Sequence, residues 1–156
     1  LLSSRISRVF SRAERGILAA RGVDTEDYVI STCELQSGAT AVIENSWILP
    51  ESHTGISTCR CKIVGTKGTL FVDALSSDSL SYSDDQATKA LNMFGLNQID
   101  GRSVGSPAAS VEHFVDSAIA GRAPRVSMED GLSTVLVATS IIESFSTGGT
   151  VDVPRI

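Results

Sequence analysis

The first half of the chain alternates between polar and apolar residues, which predicts a run of β-strands. The clearest strands are 27–35 and 39–49, which lie on either side of the turn signal Ser37-Gly38 and predict a hairpin. Shorter segments predict further strands at 6–13, 57–64, 69–73 and 80–83. The segment 84–104 is polar with little pattern and is predicted to be mostly loop. Consecutive hairpins of this kind favour an antiparallel sheet.

Helical spacing replaces the alternation in the last third of the chain. A first helix is predicted to begin at Ser106-Pro107 and to end near Gly121. A second helix begins at Ser127 and ends at Gly148-Gly149, before a final strand at 150–153. The apolar stripes that are expected to face the core consist of Val111, Phe114, Val115, Ala118 and Ile119 in the first helix, and of Leu132, Val135, Leu136, Thr139 and Ile142 in the second. Ile141 and Phe145 widen the second stripe, so this helix is expected to be covered on more than one side.

The order of these elements predicts an α+β fold. We expect one domain over residues 1–156, with a largely antiparallel open sheet and the two C-terminal helices packed on one of its faces. Ile30, Ile43 and Trp47 would make the other face apolar if they share a side. An apolar face without a cover favours a partner subunit, so a homodimer or tetramer through the open face of the sheet is expected.

The composition of the chain limits the kinds of binding partner and the cellular compartment that are expected for it. The net charge of −5 and the pI of about 4.9 argue against nucleic acid, which needs clustered positive charge. No apolar run is long enough to cross a bilayer, and the first residues do not have the pattern of a signal peptide. The three cysteines do not suit a disulfide framework, so Cys59 and Cys61 are interpreted as small buried side chains in a reducing, cytoplasmic protein.

Several segments, taken in this order, resemble the C-terminal domain of the Gfo/Idh/MocA oxidoreductases, a domain of the ferredoxin-like or dihydrodipicolinate-reductase-like type. The hairpin from Asp27 to Trp47 resembles strands of that sheet, as does the segment 63–70 with its apolar-Gly-Thr-x-Gly turn. Residues 112–124 resemble the first C-terminal helix of the family, and residues 129–151 resemble its last helix and strand. The resemblance extends over nearly the whole chain.

The resemblance implies a two-domain parent enzyme that oxidises a sugar, inositol or related polyol, or reduces the ketone, with NAD or NADP. In that family a Rossmann domain binds the dinucleotide, and a Glu-Lys-Pro lysine and an Asp-x-x-x-His pair assist hydride transfer. This sequence contains no Gly-x-Gly and no Glu-Lys-Pro, and neither His53 nor His113 follows an acid by four residues. We therefore expect no catalytic residue, no bound cofactor and no activity in this chain without a Rossmann domain.

Four residues are candidates for contact with the substrate of such a parent. Glu51, His53 and Thr54 lie in a polar loop that, in the family, can approach the substrate cleft. Trp47, the only tryptophan, precedes this loop. It is interpreted either as packing at the sheet or an interface, or as stacking on a sugar.

Two motifs that suggest other chemistry are interpreted as structural. Glu129 and Asp130 lie in the first turn of a helix, where acids complement the helix dipole. The segment 65–68 (Gly-Thr-Lys-Gly) lacks the spacing of a phosphate loop and is predicted to be a turn. No metal-binding pattern or nucleophile elbow is present. The alternative to part of an oxidoreductase is a stand-alone, sheet-mediated dimer that serves as a scaffold or binding module without catalysis.

Overall fold

The structure is a computed structural model, which describes residues 4–49, 59–73, 80–83, 88–91, 97–99 and 102–156. The chain divides into two compact units, one made from residues 1–50 and 125–156 and the other from residues 51–124. The strands are β1 (Ile6–Glu14), β2 (Tyr28–Leu35), β3 (Thr40–Ser46), β4 (Arg60–Gly65), β5 (Gly68–Asp73), β6 (Leu80–Ser83), β7 (Thr88–Leu91), β8 (Asn97–Ile99), β9 (Arg102–Val104) and β10 (Thr150–Asp152), and the helices are α1 (Ile17–Ala20), α2 (Ser106–Ile119) and α3 (Met128–Thr147). The predicted α+β fold class is confirmed.

The first unit is built on a four-stranded antiparallel sheet with the order β10-β1-β2-β3. The strands β2 and β3 form the predicted hairpin, in which Tyr28 pairs with Ser46. Gly38 in the turn has a φ of 84°, a conformation that residues with a Cβ rarely adopt. The predicted final strand is also present, because β10 pairs with β1.

Helix α3 packs on one face of this sheet, against β1 and β10. A capping box closes its N-terminus: Asp130 N donates to Ser127 Oγ (3.2 Å), and Ser127 N donates to Asp130 Oδ2 (3.0 Å). The structural interpretation of the acids in this turn is therefore confirmed. The helix ends at Gly148, which has a φ of 74° and accommodates the left-handed C-cap without steric cost.

The most deeply buried residues of α3 are small and polar, and they do not belong to the predicted apolar stripe. Ser140 and Ser144 are buried, whereas Leu132, Val135 and Ile142 are exposed. Small side chains let the helix backbone approach the sheet closely, so the buried face need not be the most apolar one. The prediction that the stripe faces the core is therefore wrong for these three residues, whereas Leu136, Ile141 and Phe145 are half-buried. The buried sheet residues on this side are Val9, Ser11, Ser31, Cys33 and Leu35.

The opposite face of the sheet carries exposed apolar residues from three strands. Phe10 on β1 pairs with Thr32 on β2, and Thr32 pairs with Val42 on β3, so these side chains form one row. Ile30 lies in the next row. Phe10, Ile30 and Val42 are all exposed. We call this surface the open face, since the structure places no described helix on it.

Ile30, Ile43 and Trp47, which would make the second face apolar if they shared a side, are divided between the two sides. Ile30 pairs with Glu44 and lies on the open face, whereas Ile43 pairs with the buried Ser31 and points to the helix side. Trp47 also lies on the helix side, where it lines a groove together with Ile43. Side chains alternate along a strand, so neighbouring apolar residues in a hairpin need not meet on one face.

The second unit contains an antiparallel sheet with the order β4-β5-β6-β7 and a hairpin of β8 and β9. The segment Gly65–Gly68 joins β4 to β5 as the predicted turn. The strands β7, β8 and β9 lie within 84–104, so the prediction of a mostly loop segment is wrong there. These strands have three or four residues, too few for alternation to show in the sequence.

Helix α2 contacts β9 in this unit and repeats the pattern of α3. Ser117 is buried, while the predicted apolar stripe is exposed. The exposed stripe residues are Val111, Phe114, Val115 and Ile119. Both C-terminal helices therefore present apolar side chains to the surface.

All three cysteines are free thiols, but their burial differs. Cys33 on β2 is buried, and this burial raises the pKa of its thiol. Cys59 and Cys61 are exposed, so the prediction that they are small buried side chains is wrong. Cys61 lies on β4, of which most residues are exposed.

Candidate functional site

A groove lies between α3 and β3 on the helix side of the first unit, and we call it the α3–β3 groove. It encloses about 550 Å3. Helix α3 contributes Ala138, Ile141, Ile142, Phe145 and Ser146, the strands contribute Val29, Ser31, Ile43 and Asn45, and the flanking segments contribute Asp24, Thr25, Glu26 and Trp47. The groove exists because α3 lies over β10 and β1 and leaves the outer strand β3 uncovered on this side.

Large apolar side chains in the groove remain exposed. Trp47 exposes 71% of its surface, Ile142 exposes 54% and Ile43 exposes 40%. Single exposed apolar residues are common on soluble proteins, but a contiguous cluster in a concave surface marks a binding or docking site. The α3–β3 groove is therefore the candidate functional surface of this unit.

Asp27 holds the end of the groove in place. Its backbone oxygen accepts from Trp47 N (3.0 Å), and its backbone nitrogen donates to Glu14 O (2.9 Å). Its carboxylate accepts from Ile17 N (2.7 Å) and Leu18 N (2.8 Å), at the start of the one-turn helix α1. One buried residue thus joins the end of β1, the helix α1 and the start of the segment that carries Trp47.

The hydrogen bonds to the Asp27 carboxylate favour its charged form. The backbone N–H of Leu18, together with those of Ile17 and Gly16, lowers the pKa of Asp27, while burial acts in the opposite direction. Arg15 adds a smaller favourable charge, and it is itself paired with Asp24. The carboxylate therefore acts as a structural anion.

We expect the Asp27→Asn variant to be less stable than the wild type above pH 4 and to show a weaker dependence of stability on pH. The folded pKa of Asp27 lies below the unfolded value of about 3.9, so its contribution is present above that value. It is lost as the pH falls through the folded pKa. Urea unfolding between pH 2.5 and 7 would measure the difference. Asp24→Asn is the control, since Asp24 is exposed in the same loop; an equal effect of the two substitutions would contradict the assignment.

A second, more polar cleft of about 740 Å3 lies where β1 begins and β10 ends. Arg8 Nε is 2.9 Å from Asp152 Oδ1, and Arg8 NH1 is 3.7 Å from Glu34 Oε2. The hydrogen bond and charge of Asp152, followed by the charge of Glu34, raise the pKa of Arg8. Both acids are charge partners of this guanidinium, so Arg8 links β1 to β2 and β10 through ion pairs at the surface.

The structure describes only one of the four residues that the sequence analysis proposed as substrate contacts. Trp47 lies at the α3–β3 groove, where the structure groups it with Ile43 and Phe145. Glu51, His53 and Thr54 lie outside the described residues, so their prediction stays untested. Sequence patterning did not single out Asp27 or the buried serines, because a short polar residue inside an apolar pattern has many possible roles.

The described residues do not fit a dinucleotide cofactor. The capping box already occupies the N-terminus of α3, where Glu129 and Asp130 would repel a pyrophosphate. Helix α2 begins after Gly105 with Ser106-Pro107 and has no Gly-x-Gly turn before it.

Among the described residues, no group of three or more His, Cys, Asp or Glu side chains is placed to hold a metal ion. No helix in the described ranges is both long and apolar enough to cross a membrane.

The profile of a known protein family matches almost the whole chain. It is described as "Oxidoreductase family, C-terminal alpha/beta domain" and matches residues 6–153, from the start of β1 to just past β10. The chain belongs to the Gfo/Idh/MocA oxidoreductase C-terminal domain family. The resemblance that the strands and C-terminal helices indicated is thus confirmed. No curated protein sequence matches this Gfo/Idh/MocA C-terminal domain significantly.

Solved structures share the fold of this Gfo/Idh/MocA domain. A levoglucosan dehydrogenase in complex with NADH and levoglucosan superimposes with a TM-score of 0.77 at 21% identity, over 97% of this chain and 46% of that chain. An oxidoreductase from Agrobacterium radiobacter in complex with NAD+, L-tartaric acid and magnesium gives a TM-score of 0.76 at 20% identity, over 96% and 44%. An oxidoreductase domain protein from Kribbella flavida gives 0.73 at 19% identity, over 97% and 47%. At these identities the likeness establishes the fold, and the domain spans less than half of each matched chain.

Proposed function

We propose that this domain is the C-terminal half of an NAD(P)-dependent oxidoreductase that acts on a sugar, inositol or related polyol. The observation that carries the proposal is the family match over residues 6–153. It is supported by the same fold in a larger dehydrogenase chain bound to NADH and levoglucosan. The chain spans 41–47% of the matched structures, a proportion that suits one half of a two-domain enzyme.

In such an enzyme this domain forms a wall of the substrate cleft, while NAD or NADP binds to the Rossmann domain. We propose Glu51, His53 and Thr54 as the residues that hydrogen-bond to substrate hydroxyl groups, on the strength of the sequence resemblance. Trp47 was the fourth candidate. Its place beside Ile43 and Phe145 favours packing over stacking on a sugar.

The second role of the domain is assembly through the open face of the first sheet. Phe10, Ile30 and Val42 supply its apolar centre, and Arg12 lies over the Phe10 ring at 4.9 Å from the ring centroid. Charged residues surround this centre, which is the usual arrangement of a protein–protein interface. We propose a homodimer or tetramer in the cytoplasm, where the three free thiols would stay reduced.

The full-length protein is expected to bind NADH and to oxidise or reduce a member of a sugar and polyol panel, whereas the 156-residue chain alone is expected to do neither. In the proposed enzyme the dinucleotide binds to the Rossmann domain, so the C-terminal half alone is expected to be inactive. Steady-state turnover assays would measure the activity of both proteins, and titration of NADH fluorescence would measure their dinucleotide binding. A full-length protein that neither binds dinucleotide nor turns over any polyol would favour the scaffold alternative.

Within the active full-length enzyme, His53→Ala is expected to lower kcat/KM about tenfold, since one lost hydrogen bond to substrate is worth roughly 1.4 kcal/mol. The control is Ser37→Ala, in the exposed turn between β2 and β3. If both variants retain the wild-type kcat and KM, His53 does not contact the substrate.

A further inference from the structure

Cys59 and Cys61 are two exposed free thiols on one side of the second unit. Cys61 lies on β4, an outer strand of its four-stranded sheet, and Cys59 directly precedes this strand. Side chains two positions apart along an extended backbone point to the same face. A buried cysteine contributes to a fold as a small apolar side chain, but an exposed one gains little from packing. The packing role that the sequence suggested therefore does not account for this pair.

Arg60 fixes the backbone between the two thiols. It pairs with Asp73 on β5, and Arg60 Nε donates to Oδ2 of this buried aspartate (2.8 Å). Because peptide bonds are planar, the separation of the Cα atoms of residues 59 and 61 depends on φ and ψ of the residue between them. Arg60 is a strand residue, so this separation is about 6.4–6.8 Å, twice the rise per residue.

This separation suits a bridging metal ion and does not suit a disulfide. A disulfide brings the Cβ atoms to about 3.5–4.5 Å, whereas side chains that leave a strand in parallel keep their Cβ atoms near the Cα separation. Closing the bond would pull Arg60 out of its pairing with Asp73. Two metal–thiolate bonds of about 2.3 Å in a straight line place the sulfur atoms roughly 4.6 Å apart. Rotation about the Cα–Cβ bonds of the two cysteines reaches that distance without a change of the backbone.

The surroundings of the two thiols select the type of metal ion. Val72 lies directly opposite Cys61, and Ile63 is the next residue of β4 on the same face, so these described neighbours are apolar. Arg60 and Lys62 point to the opposite face. In the part of the chain that the structure describes, no third His, Cys, Asp or Glu joins the pair. Structural zinc requires four ligands, whereas copper(I) and silver(I) prefer soft thiolates and accept two of them in a line.

We propose that Cys59 and Cys61 form a binding site for one soft, two-coordinate cation of the copper(I) class. Each thiol releases its proton to solvent on binding, and the two thiolate sulfur atoms become the ligands. The strand conformation at Arg60 sets their spacing, so the site is present before the ion binds. It lies in the second unit and uses neither the dinucleotide nor the polyol of the proposed enzyme.

Titration of the full-length protein with copper(I) under anaerobic conditions tests the site. Competition with a colorimetric copper(I) chelator gives the stoichiometry and affinity for the wild type and for the Cys59→Ser and Cys61→Ser variants. We expect the wild type to bind one ion that either variant binds at least about 100-fold more weakly, because a single thiolate lacks the effective concentration that the second one supplies. Comparing proteins that differ at one position cancels any binding by other thiols. Silver(I), which has the same coordination preference, should give the same difference.

Two control variants separate this site from thiol binding in general. Cys33→Ala removes the third free thiol of this sequence, which is buried on β2, and is expected to keep the wild-type copper(I) affinity. The double variant Cys61→Ser/Lys62→Cys keeps the number of thiols but moves one of them to the opposite face of β4. It is expected to bind as weakly as Cys61→Ser. Circular dichroism of each variant checks that the exposed substitutions leave the fold intact.

Several results would overturn the inference. Equal copper(I) binding by the wild type and both single serine variants would mean that the pair holds no ion, and restored binding in the double variant would mean that the spacing on one face is irrelevant. A stoichiometry of one ion per two chains would assign the ion to a contact between copies. Zinc binding as tight as that of copper(I), lost in the same variants, would show a site with further ligands. A loss of two hydrogen masses on mild oxidation, absent in both serine variants, would show that the two thiols form a disulfide after all.

Discussion

Replacing Ser144 with alanine is expected to lower the free energy of unfolding by about 2–3 kcal/mol, a large fraction of the stability of a small domain. Ser144 has no exposed surface. Its hydroxyl accepts from Ser11 N (2.9 Å) and donates to Gly149 O (2.5 Å). The pairing of β1 with β10 ends at Phe10 and Thr150, so Ser11 has no residue of β10 opposite it.

The Ser144 hydroxyl thus extends the ladder of β1 by one hydrogen bond at the point where β10 begins. In the alanine variant the buried N–H of Ser11 and the carbonyl of Gly149 lose their hydrogen-bond partner. The space that the hydroxyl leaves is too small for another side chain to fill it. Urea unfolding followed by circular dichroism would give the change. Ser146→Ala, two residues later and exposed, is the control and is expected to change stability by less than about 0.5 kcal/mol. A loss below 1 kcal/mol for Ser144→Ala would show that water or a shifted backbone replaces the hydroxyl.

Introducing a charge at Val42 is expected to weaken self-association of this chain at least about 100-fold, which corresponds to roughly 2.8 kcal/mol. Val42 is 65% exposed on the open face and lies in one row with Phe10. In a two-fold interface the Val42→Glu charge occurs twice, and each copy would be buried without a partner. The monomer itself should stay folded, because the mostly exposed Val42 side chain contributes little to the core.

Analytical ultracentrifugation of the wild type and of Val42→Glu would test this assembly. Ile43→Glu is the matched control, since Ile43 adjoins Val42 on β3 but points to the helix side. It should leave self-association through the open face unchanged. A wild-type chain that stays monomeric at high concentration, or a stronger effect of Ile43→Glu than of Val42→Glu, would rule out the open face as the interface.

The features that the sequence predicted correctly depend on residues close together along the chain. The β2–β3 hairpin follows from alternation on both sides of Ser37-Gly38, and the limits of α3 follow from Ser127 and Gly148. Each of these signals acts through backbone conformation or through hydrogen bonds within one turn. The C-terminal helices and the final strand were predictable for the same reason.

Apart from the short strands missed in 84–104, the predictions that failed concern which side of an element is covered. The apolar stripe of α3 was expected to face the sheet, but the sheet contacts Ser140 and Ser144 instead. The sequence left open whether Ile30 and Ile43 share a face, and the register between β2 and β3 separates them. Periodicity shows that a helix or strand has an apolar side and does not show which neighbour covers that side.

The sequence by itself determined the order of the longer helices and strands, the caps of α3 and the β2–β3 turn, and the membership of an oxidoreductase C-terminal domain family, because these depend on local backbone preferences and on motifs in a fixed order. Only the tertiary structure decided that serines pack α3 onto the sheet, that Asp27 ties Trp47 to α1, and that the α3–β3 groove and the open face are separate apolar surfaces. These features depend on strand register and on contacts between separate segments, some of them more than 100 positions apart, such as Ser11 and Ser144. No local pattern encodes such contacts, since the hydrogen bonds that fix them form only when the distant segments meet.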